Sequence, residues 1–555
     1  MEKKQVTGIR LILGYLGVFL VFIGFLTTVP LLMLVWYKQE SYVYLNFLIP
    51  ATMDIAIGLI FYFAFIFKRK RGAFKRFEDS MLLILVWVFA LLTGALPFYL
   101  AHIRQGMAMD FSMSFFESAS AYSTTGLTVF SDYTDTLSSF GAHVYSFHRG
   151  FMQFVGGAGL VLLLASILGG QGNMSLFNSE GHSDRLLPSL GRTAKLILGI
   201  YLFYCTLCSL CLWICGLDWF DAVVTSMSVV SGGGMSPKST NIYFYNSYNG
   251  YSDLNGVFKV NFVAVQYVVM IFAYFSAISF VLHTFILSGR IKLFLKDSET
   301  KLMIFNLFFF GLLILGSSFL FISKSNNLPF FNESNKEIAQ NSLFYYVNAA
   351  TNSGFASTSL DSMIELGRPA LMVLTFVMLI GGGAGSTAGG IKLYRIVVCL
   401  KYLITSLHYK FAPTRQLYPC NIYRYGNHKE IEKEDIREAF NYVLLFIMLF
   451  LIASLILVFL PEIDLQSSMF TVASSISNTG LGYTYVSGAH ADIVTYVNTY
   501  YVEGKVMLWT LSIVMLLGRL EIMPLFYAFR NIGAEVIHAK TLKRRNSLKN
   551  EAKAA

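Results

Sequence analysis

Long apolar runs alternate with short polar, mostly basic stretches over almost the whole chain. Ten runs, near 9–36, 43–67, 79–101, 143–168, 194–216, 260–288, 301–323, 369–400, 438–460 and 504–528, are long enough to cross a hydrocarbon core of ~30 Å as helices, and they predict ten membrane spans. The first is too long for a signal-peptide core and lacks a small-residue cleavage site, so it is expected to stay in the protein. The basic stretches then set the orientation. Lys3, Lys4 and Arg10, the basic cluster at 68–76, Arg290 to Lys301, the seven Lys and Arg of 401–437, and Lys540, Lys543, Arg544 and Arg545 all fall on one side if the spans alternate. Basic connections mark the cytoplasm, which predicts a multi-pass protein of the cell (inner) membrane with both termini cytoplasmic.

The outer connections after the third, fifth, seventh and ninth spans are moderately apolar, too short to cross, and end in a glycine-bearing string. The strings are Ser123-Thr124-Thr125-Gly126-Leu127, Ser231-Gly232-Gly233-Gly234-Met235, Thr351-Asn352-Ser353-Gly354-Phe355 and Ser477-Asn478-Thr479-Gly480-Leu481. Each has Gly fourth, a hydrophobe fifth and Ser or Thr first. Ten residues before the aligned Gly stand Phe116, Val224, Phe344 and Phe470, and six before stand Ser120, Ser228, Asn348 and Ser474. The aligned glycines are 108, 120 and 126 residues apart, an internal repeat of span, half-helix, strand and span. Irregular backbone at membrane depth survives only when buried in protein or lining a wet cavity. Four such strands can ring one axis with carbonyl oxygens that replace the hydration shell of a cation. The C-terminal ends of the half-helices add partial negative charge there. The bland alternative is four glycine-rich surface turns.

The expected fold is therefore all-α and polytopic, with four membrane–pore loop–membrane repeats around one pore and two extra transmembrane helices in front. The boundaries are two N-terminal helices at 1–76, repeats at 77–192, 193–299, 300–436 and 437–530, and a cytoplasmic tail at 531–555. Composition agrees: 13% of the 555 residues are charged, against about 25% in soluble domains, too few to cover a water-facing surface. The net charge of +10 lies between spans rather than in one basic domain, so no nucleic-acid partner is expected. Cys205, Cys208, Cys211 and Cys215 share one apolar run, where a helix spreads them over ~15 Å and no tetrahedral ion can be shared. His143, His148 and His283 are too scattered for a metal or proton-relay site.

With these strings the chain resembles the Trk/Ktr superfamily of potassium uptake proteins and, within it, the Trk-type membrane subunit. The likeness covers nearly the whole chain. It includes Gln153-Phe154-Val155-Gly156-Gly157, Arg192-Thr193-Ala194-Lys195-Leu196, the run GGGAGSTAGGIK from Gly381 to Lys392, and Leu517-Gly518-Arg519-Leu520-Glu521. The two spans ahead of the first repeat are a Trk-type feature. The resemblance implies a filter that binds the transported potassium through Thr124, Thr125, Gly126, Gly232, Gly233, Gly234, Asn352, Ser353, Gly354, Asn478, Thr479 and Gly480. It implies preference for potassium, since sodium-selective relatives tend to carry Ser where this chain has Gly126. Gly232 departs from the pattern, where the family often has Thr, and leaves the strictness of selectivity open. A homodimer with one pore per protomer, a cytosolic nucleotide-binding regulatory ring and the surrounding membrane lipid are the implied partners. No organic cofactor is expected.

The 381–390 run holds six glycines in ten residues inside the eighth apolar run, and it lacks the Gly-Lys-Ser/Thr ending of a phosphate loop. It predicts a broken helix whose loop is buried or faces the pore; the alternative is a glycine-weakened helix packed closely on a neighbour. By resemblance it is an intramembrane gate beneath the filter, formed by Gly381, Gly382, Gly383, Gly385, Ser386, Thr387, Gly389 and Gly390 together with Arg519. A charge at mid-span is costly and faces a protein interior or a wet cavity. Arg519 would raise a barrier to cations in the pore; the alternative is an ion pair with Glu521 or another acid. Glu117 and Asp221 in the first two half-helices are read as packing bonds, or alternatively as cation attractors at the outer mouth. The 169–192 segment (Glu180, His182, Asp184, Arg185) and the 401–437 connection are candidate docking surfaces, or else solvated loops. The tyrosine-rich 242–257 stretch has no assigned role. Three rivals stand beside this reading: a sodium- or proton-coupled symporter, which would typically show two-fold repeats; a membrane-embedded enzyme, for which no cluster of titratable residues exists; and a membrane scaffold, which needs no filter-like strings.

Overall fold

The computed structural model describes residues 6–69, 76–130, 134, 141–159, 190–248, 260–326, 333–364, 366–411, 420–487 and 489–522. Among these, seven helical stretches are long and apolar enough to cross a membrane: Ile9–Val35, Lys38–Phe65, Glu78–Gln105, Arg192–Ile214, Ser298–Ser318, Lys433–Val458 and Tyr501–Arg519. Their outward faces carry apolar side chains such as Ile60, Phe308, Leu312, Leu451 and Ile513, which suit lipid rather than water. The first two pack backbone to backbone. A Cβ on Gly17 would stand 2.6 Å from the Gly58 carbonyl oxygen, and the reverse distance is the same. Apolar surface gives helices little reason to associate within lipid, so such close small-residue contacts hold them together.

Three expected spans take other forms. The Ala142–Ala158 helix accounts for the fourth, whose expected end lies outside the described residues together with most of the 169–192 segment. The eighth is broken as expected: helix Arg368–Leu379, an irregular loop, then helix Leu393–Phe411. The sixth corrects the sequence reading. Instead of one span over 260–288, helices Phe262–Ser276 and Phe280–Leu287 meet at 111°. Neither Gly nor Pro stands at the bend of Ala277, Ile278 and Ser279. The break is held from outside: Gly383 N–H donates to Ala277 O (2.9 Å), Phe280 N–H to Gly385 O (3.2 Å) and Thr387 N–H to Ser276 O (3.3 Å). The glycine loop thus supplies the bonds that the helix gives up.

Four half-helices enter between spans: Phe111–Tyr122, Trp219–Ser231, Glu333–Ala350 and Leu465–Ile476. At 1.5 Å per residue, the twelve- and thirteen-residue ones reach ~18–20 Å, short of the hydrocarbon core. Asp110, Asp218 and Asp464 cap the first, second and fourth, each accepting a first-turn N–H. All three stand sixteen residues before the aligned glycine, where the third repeat has Ile338 and its helix starts earlier. The half-helices lie at the opposite ends of the spans from the basic connections, since each follows the far end of a long helix, Arg76–Gln105, Leu190–Ile214, Ser298–Asn326 or Lys433–Val458. On that basic side, strands Asn421–Arg424 and Asn427–Glu430 form an antiparallel hairpin. Ile422 and Ile431 anchor it in a small cluster with Val398 and Ala439.

Candidate ion pathway

Each strand is fastened to its own half-helix by the same bond. The N–H of Thr125 donates to Ser120 O (2.9 Å), Gly233 to Ser228 O (2.9 Å), Ser353 to Asn348 O (2.9 Å) and Thr479 to Ser474 O (2.8 Å). The acceptor is the residue six before the aligned glycine, and its side chain often adds a second tie. Ser120 Oγ accepts from Gly126 N–H (3.1 Å), Ser474 Oγ from Gly480 N–H (2.8 Å) and Asn348 Oδ1 from Phe355 N–H (3.3 Å). In the second repeat Gln153 stands in: its Oε1 accepts from Met235 N–H (3.3 Å) and from the Ser228 hydroxyl (2.5 Å). Gln153 also fills the space into which a Cβ on Gly233 would project. With the N–H groups turned toward the half-helices, the carbonyls are left to face the neighbouring strands.

The four strands close a ring. A Cβ on Gly126 would stand 2.7 Å from Gly234 N, and one on Gly234 2.7 Å from Gly354 O. A Cβ on Gly354 would overlap the Thr479 carbonyl, and one on Gly480 the Thr125 carbonyl, which returns to the first strand. No other residue type fits these positions without moving backbone. Hydroxyl pairs brace three strands internally: Ser123 with Thr125 (2.7 Å), Thr351 with Ser353 (2.9 Å) and Ser477 with Thr479 (3.0 Å). Two asparagines tie strands together, Asn352 Nδ2 donating to Thr479 Oγ1 (2.8 Å) and Asn478 Nδ2 to Thr125 Oγ1 (3.0 Å). Each also reaches the next span, at Met378 O (2.9 Å) and Met515 O (3.0 Å).

Two residues before the aligned glycine, all four strands turn left-handed: φ is 60° at Thr124, 70° at Gly232, 54° at Asn352 and 54° at Asn478. Asn and Gly tolerate this region and Thr does so at a cost. Gly232 is therefore the relaxed member of a shared turn.

The 381–390 loop lies against the half-helix ends of two repeats. Its base is pinched by Gly381 N–H donating to Ile391 O (3.0 Å) and Ile391 N–H to Leu379 O (3.0 Å). Gly389 presses on the Ser477 carbonyl so closely that a Cβ would overlap it, and Thr387 Oγ1 donates to Val230 O (3.3 Å) and Ser276 O (3.0 Å). Arg519 closes the same region from the last span. It donates to Thr387 O (3.2 Å), Thr124 Oγ1 (3.4 Å), Gly157 O (3.3 Å) and Gly156 O. Glu521 binds Arg395 at 2.6 Å. Loop and guanidinium thus meet three of the strands at their left-handed turns. A cavity beside them is lined by Trp87, Ser386, Lys392, Asn478 and Arg519 among others. Lys392, which ends the glycine-rich run and carried no role in the sequence, turns its ammonium onto the carbonyls of Ser386 (3.4 Å) and Ala388.

Glu117 and Asp221 serve packing. Buried Glu117 binds Arg149 (2.7 Å), Thr128 Oγ1 (3.0 Å) and Val129 N–H (2.9 Å), while Asp221 binds Lys238 (3.2 Å) and Tyr245 (2.8 Å). Arg149 carries the link on to Ser236 O (3.2 Å), joining the exits of the first two strands. Arg149 and Gln153 escaped assignment, although polar groups within an apolar span are a readable signal.

The chain is similar to known proteins over most of its length. The family TrkH, described as "Cation transport protein", matches residues 51–535. An uncharacterized cation transporter of Methanocaldococcus jannaschii is 30% identical over 96% of this chain and 97% of its own. The Trk system potassium uptake protein TrkH of Escherichia coli K12 is 28% identical over 83% of this chain and 87% of its own. The crystal structure of the potassium transporter TrkH from Vibrio parahaemolyticus shares the fold, with a TM-score of 0.71 at 24% identity over 93% of this chain and 97% of that one.

Proposed function

From the premise that this chain belongs to the TrkH family of cation transport proteins, we propose that it takes up potassium through a gated, selective pore in the cell (inner) membrane. The family transports ions and is not enzymatic, which removes the membrane-embedded enzyme from consideration. The observation that carries the proposal is the closed ring of four strands. The carbonyls of Thr125, Ser353 and Thr479 lie against the α-carbons of glycines on neighbouring strands, where only backbone can stand. A dehydrated cation on the ring axis would exchange its water for those oxygens. Thr124 through Gly126, Gly232 through Gly234, Asn352 through Gly354 and Asn478 through Gly480 are the filter. Inward flow is driven by the membrane potential, ~2.3 kcal/mol per charge per 100 mV.

The loop and Arg519 are the gate. The loop sits across the inner ends of the strands, and the guanidinium places positive charge there while bonding both loop and filter. A cation meets both steric closure and repulsion until the loop withdraws. The basic side is the cytoplasm, with both termini in it. The protein works as a homodimer, and a cytosolic nucleotide-binding ring regulates it from that side. Four-fold rather than two-fold repetition favours a channel-like pore over a coupled symporter.

Flux of potassium, rubidium, sodium and lithium into liposomes carrying the purified protein tests the proposal. Selective potassium and rubidium flux, damaged by Gly354→Ser and raised by Arg519→Ala, is the expected result. Flux blind to both changes returns the symporter and the scaffold as readings.

A further inference from the structure

We propose that the hairpin formed by Asn421–Arg424 and Asn427–Glu430 is latched through Glu299 to the 381–390 loop, and that this latch holds the loop in its closed seat. The inference rests on the reading of that loop as the gate.

Glu299, in the first turn of the Ser298–Asn326 helix, is 2% exposed and faces the loop with one oxygen and the hairpin with the other. Its Oε2 accepts from the N–H of Ala384, at the tip of the loop (2.8 Å). Its Oε1 lies 3.5 Å from Nε of Arg424, the last residue of the first hairpin strand. The Arg424 guanidinium is stacked over the rings of Tyr394 (4.0 Å) and Tyr425 (4.7 Å), which fixes its direction. The turn grips the same helix start twice more. Tyr425 N–H donates to Asp297 Oδ2 (2.9 Å), and Tyr423 N–H to Ser298 Oγ (3.1 Å). The Tyr425 hydroxyl also stands 3.3 Å from Ser279 Oγ, at the bend whose next N–H holds Gly385 O.

The loop tip therefore has few ties of its own on this side. It hangs on a buried carboxylate and a broken helix, and the hairpin touches both. A carboxylate that accepts a backbone N–H in a low-dielectric site makes a strong, directional bond, and the cation that steadies it belongs to the hairpin. The second strand, Asn427–Glu430, is exposed along its whole length on the basic side. A force applied to that strand is transmitted through Arg424 and Tyr425 to Glu299 and Ser279, and from them to Ala384 and Gly385.

Rubidium flux into liposomes tests the latch, using the full chain, Glu299→Gln, Arg424→Ala, their double variant and Tyr425→Phe. Each single change at the ion pair is expected to raise flux several-fold, and the double no further than the larger single. The potassium-to-sodium ratio should not move, because the filter strands are untouched. Effects that add, a changed ratio, or unchanged or lower flux in variants that melt like the parent overturn the latch. If the ion-pair variants melt early, Tyr425→Phe decides: it removes from a half-buried turn one hydroxyl, which accepts from Arg424 Nη2 (3.2 Å) and stands on Ser279 Oγ, and an unchanged flux there overturns the proposal. Absence of rubidium flux from both the parent and Arg519→Ala would instead break the underlying reading of pore and gate.

Discussion

The four strands proposed as the filter and the 381–390 loop proposed as the gate are both glycine-bearing, irregular segments set between apolar helices, yet they are supported in different ways. Each strand is tied to its own half-helix by the same N–H to carbonyl bond, four times over, with each glycine seated against the next strand. The loop has no such repeated scaffold: besides its pinched base it is tied internally by Ser386 N–H to Gly383 O (3.2 Å) and by the Lys392 ammonium on Ser386 and Ala388. Its other bonds run to the second half-helix at Val230, to the broken sixth span, to Glu299 and to Arg519, groups from four other parts of the chain. A segment held by repeated local bonds resists displacement. A segment held by borrowed bonds can be released when one lender moves, which is what a filter and a gate respectively require.

The change expected to break this contrast most severely is Gly354→Ser. Its φ of 67° disfavours any side chain, and a Cβ there overlaps the Thr479 carbonyl. Left-handed strain of ~1–2 kcal/mol adds to that overlap, and each ~1.4 kcal/mol on the barrier is a factor of ten. Potassium flux should fall more than tenfold by the order of that estimate, and the ratio over sodium should fall with it, as read by liposome uptake.

Arg519→Ala acts on the other region. It removes a charge that an ion about 8 Å away would feel as roughly 2 kcal/mol at an effective dielectric of 20, and it cuts the bond to Thr387 O. Flux should rise by up to about thirtyfold on that figure while the ion ratio holds. Lys392→Met is the milder form of the same experiment. It keeps the length of the side chain but frees the Ser386 and Ala388 carbonyls of their ammonium. A rise of several-fold is expected, with melting close to that of the parent.

Much of this architecture was legible because it repeats. Ser120, Ser228, Asn348 and Ser474 stood out at one offset, and in the structure they act alike, each carbonyl holding its own strand. The caps Asp110, Asp218 and Asp464 share an offset too, and were open to the same comparison. What stayed hidden rests on contacts distant in sequence. The bend at 277–279 has no Gly or Pro to announce it, because its bonds come from residues a hundred positions later. Gln153 in place of a side chain at Gly233 is equally silent, since the filler lies in a different span. The Glu299–Ala384 tie joins two segments that show no common pattern.

The smallest effect is expected at Gly232, and it sharpens the contrast most finely. Its φ of 70° matches the 54° of Asn352 and Asn478 closely enough that Asn should adopt it. A Cβ there would meet Thr387 Oγ1 at 3.4 Å, an ordinary contact. Gly232→Asn should therefore fold with a loss of no more than about 1 kcal/mol, the strain a short polar residue meets in this region. A stiffer second strand should leave potassium flux nearly intact and raise the potassium-to-sodium ratio slightly. The contact with Thr387 makes the result diagnostic. A large rise in flux with an unchanged ratio would mean that the new side chain had pushed the loop, placing this position with the gate rather than the filter. A changed ratio at constant flux would place it with the other three turns, as the shared backbone conformation indicates.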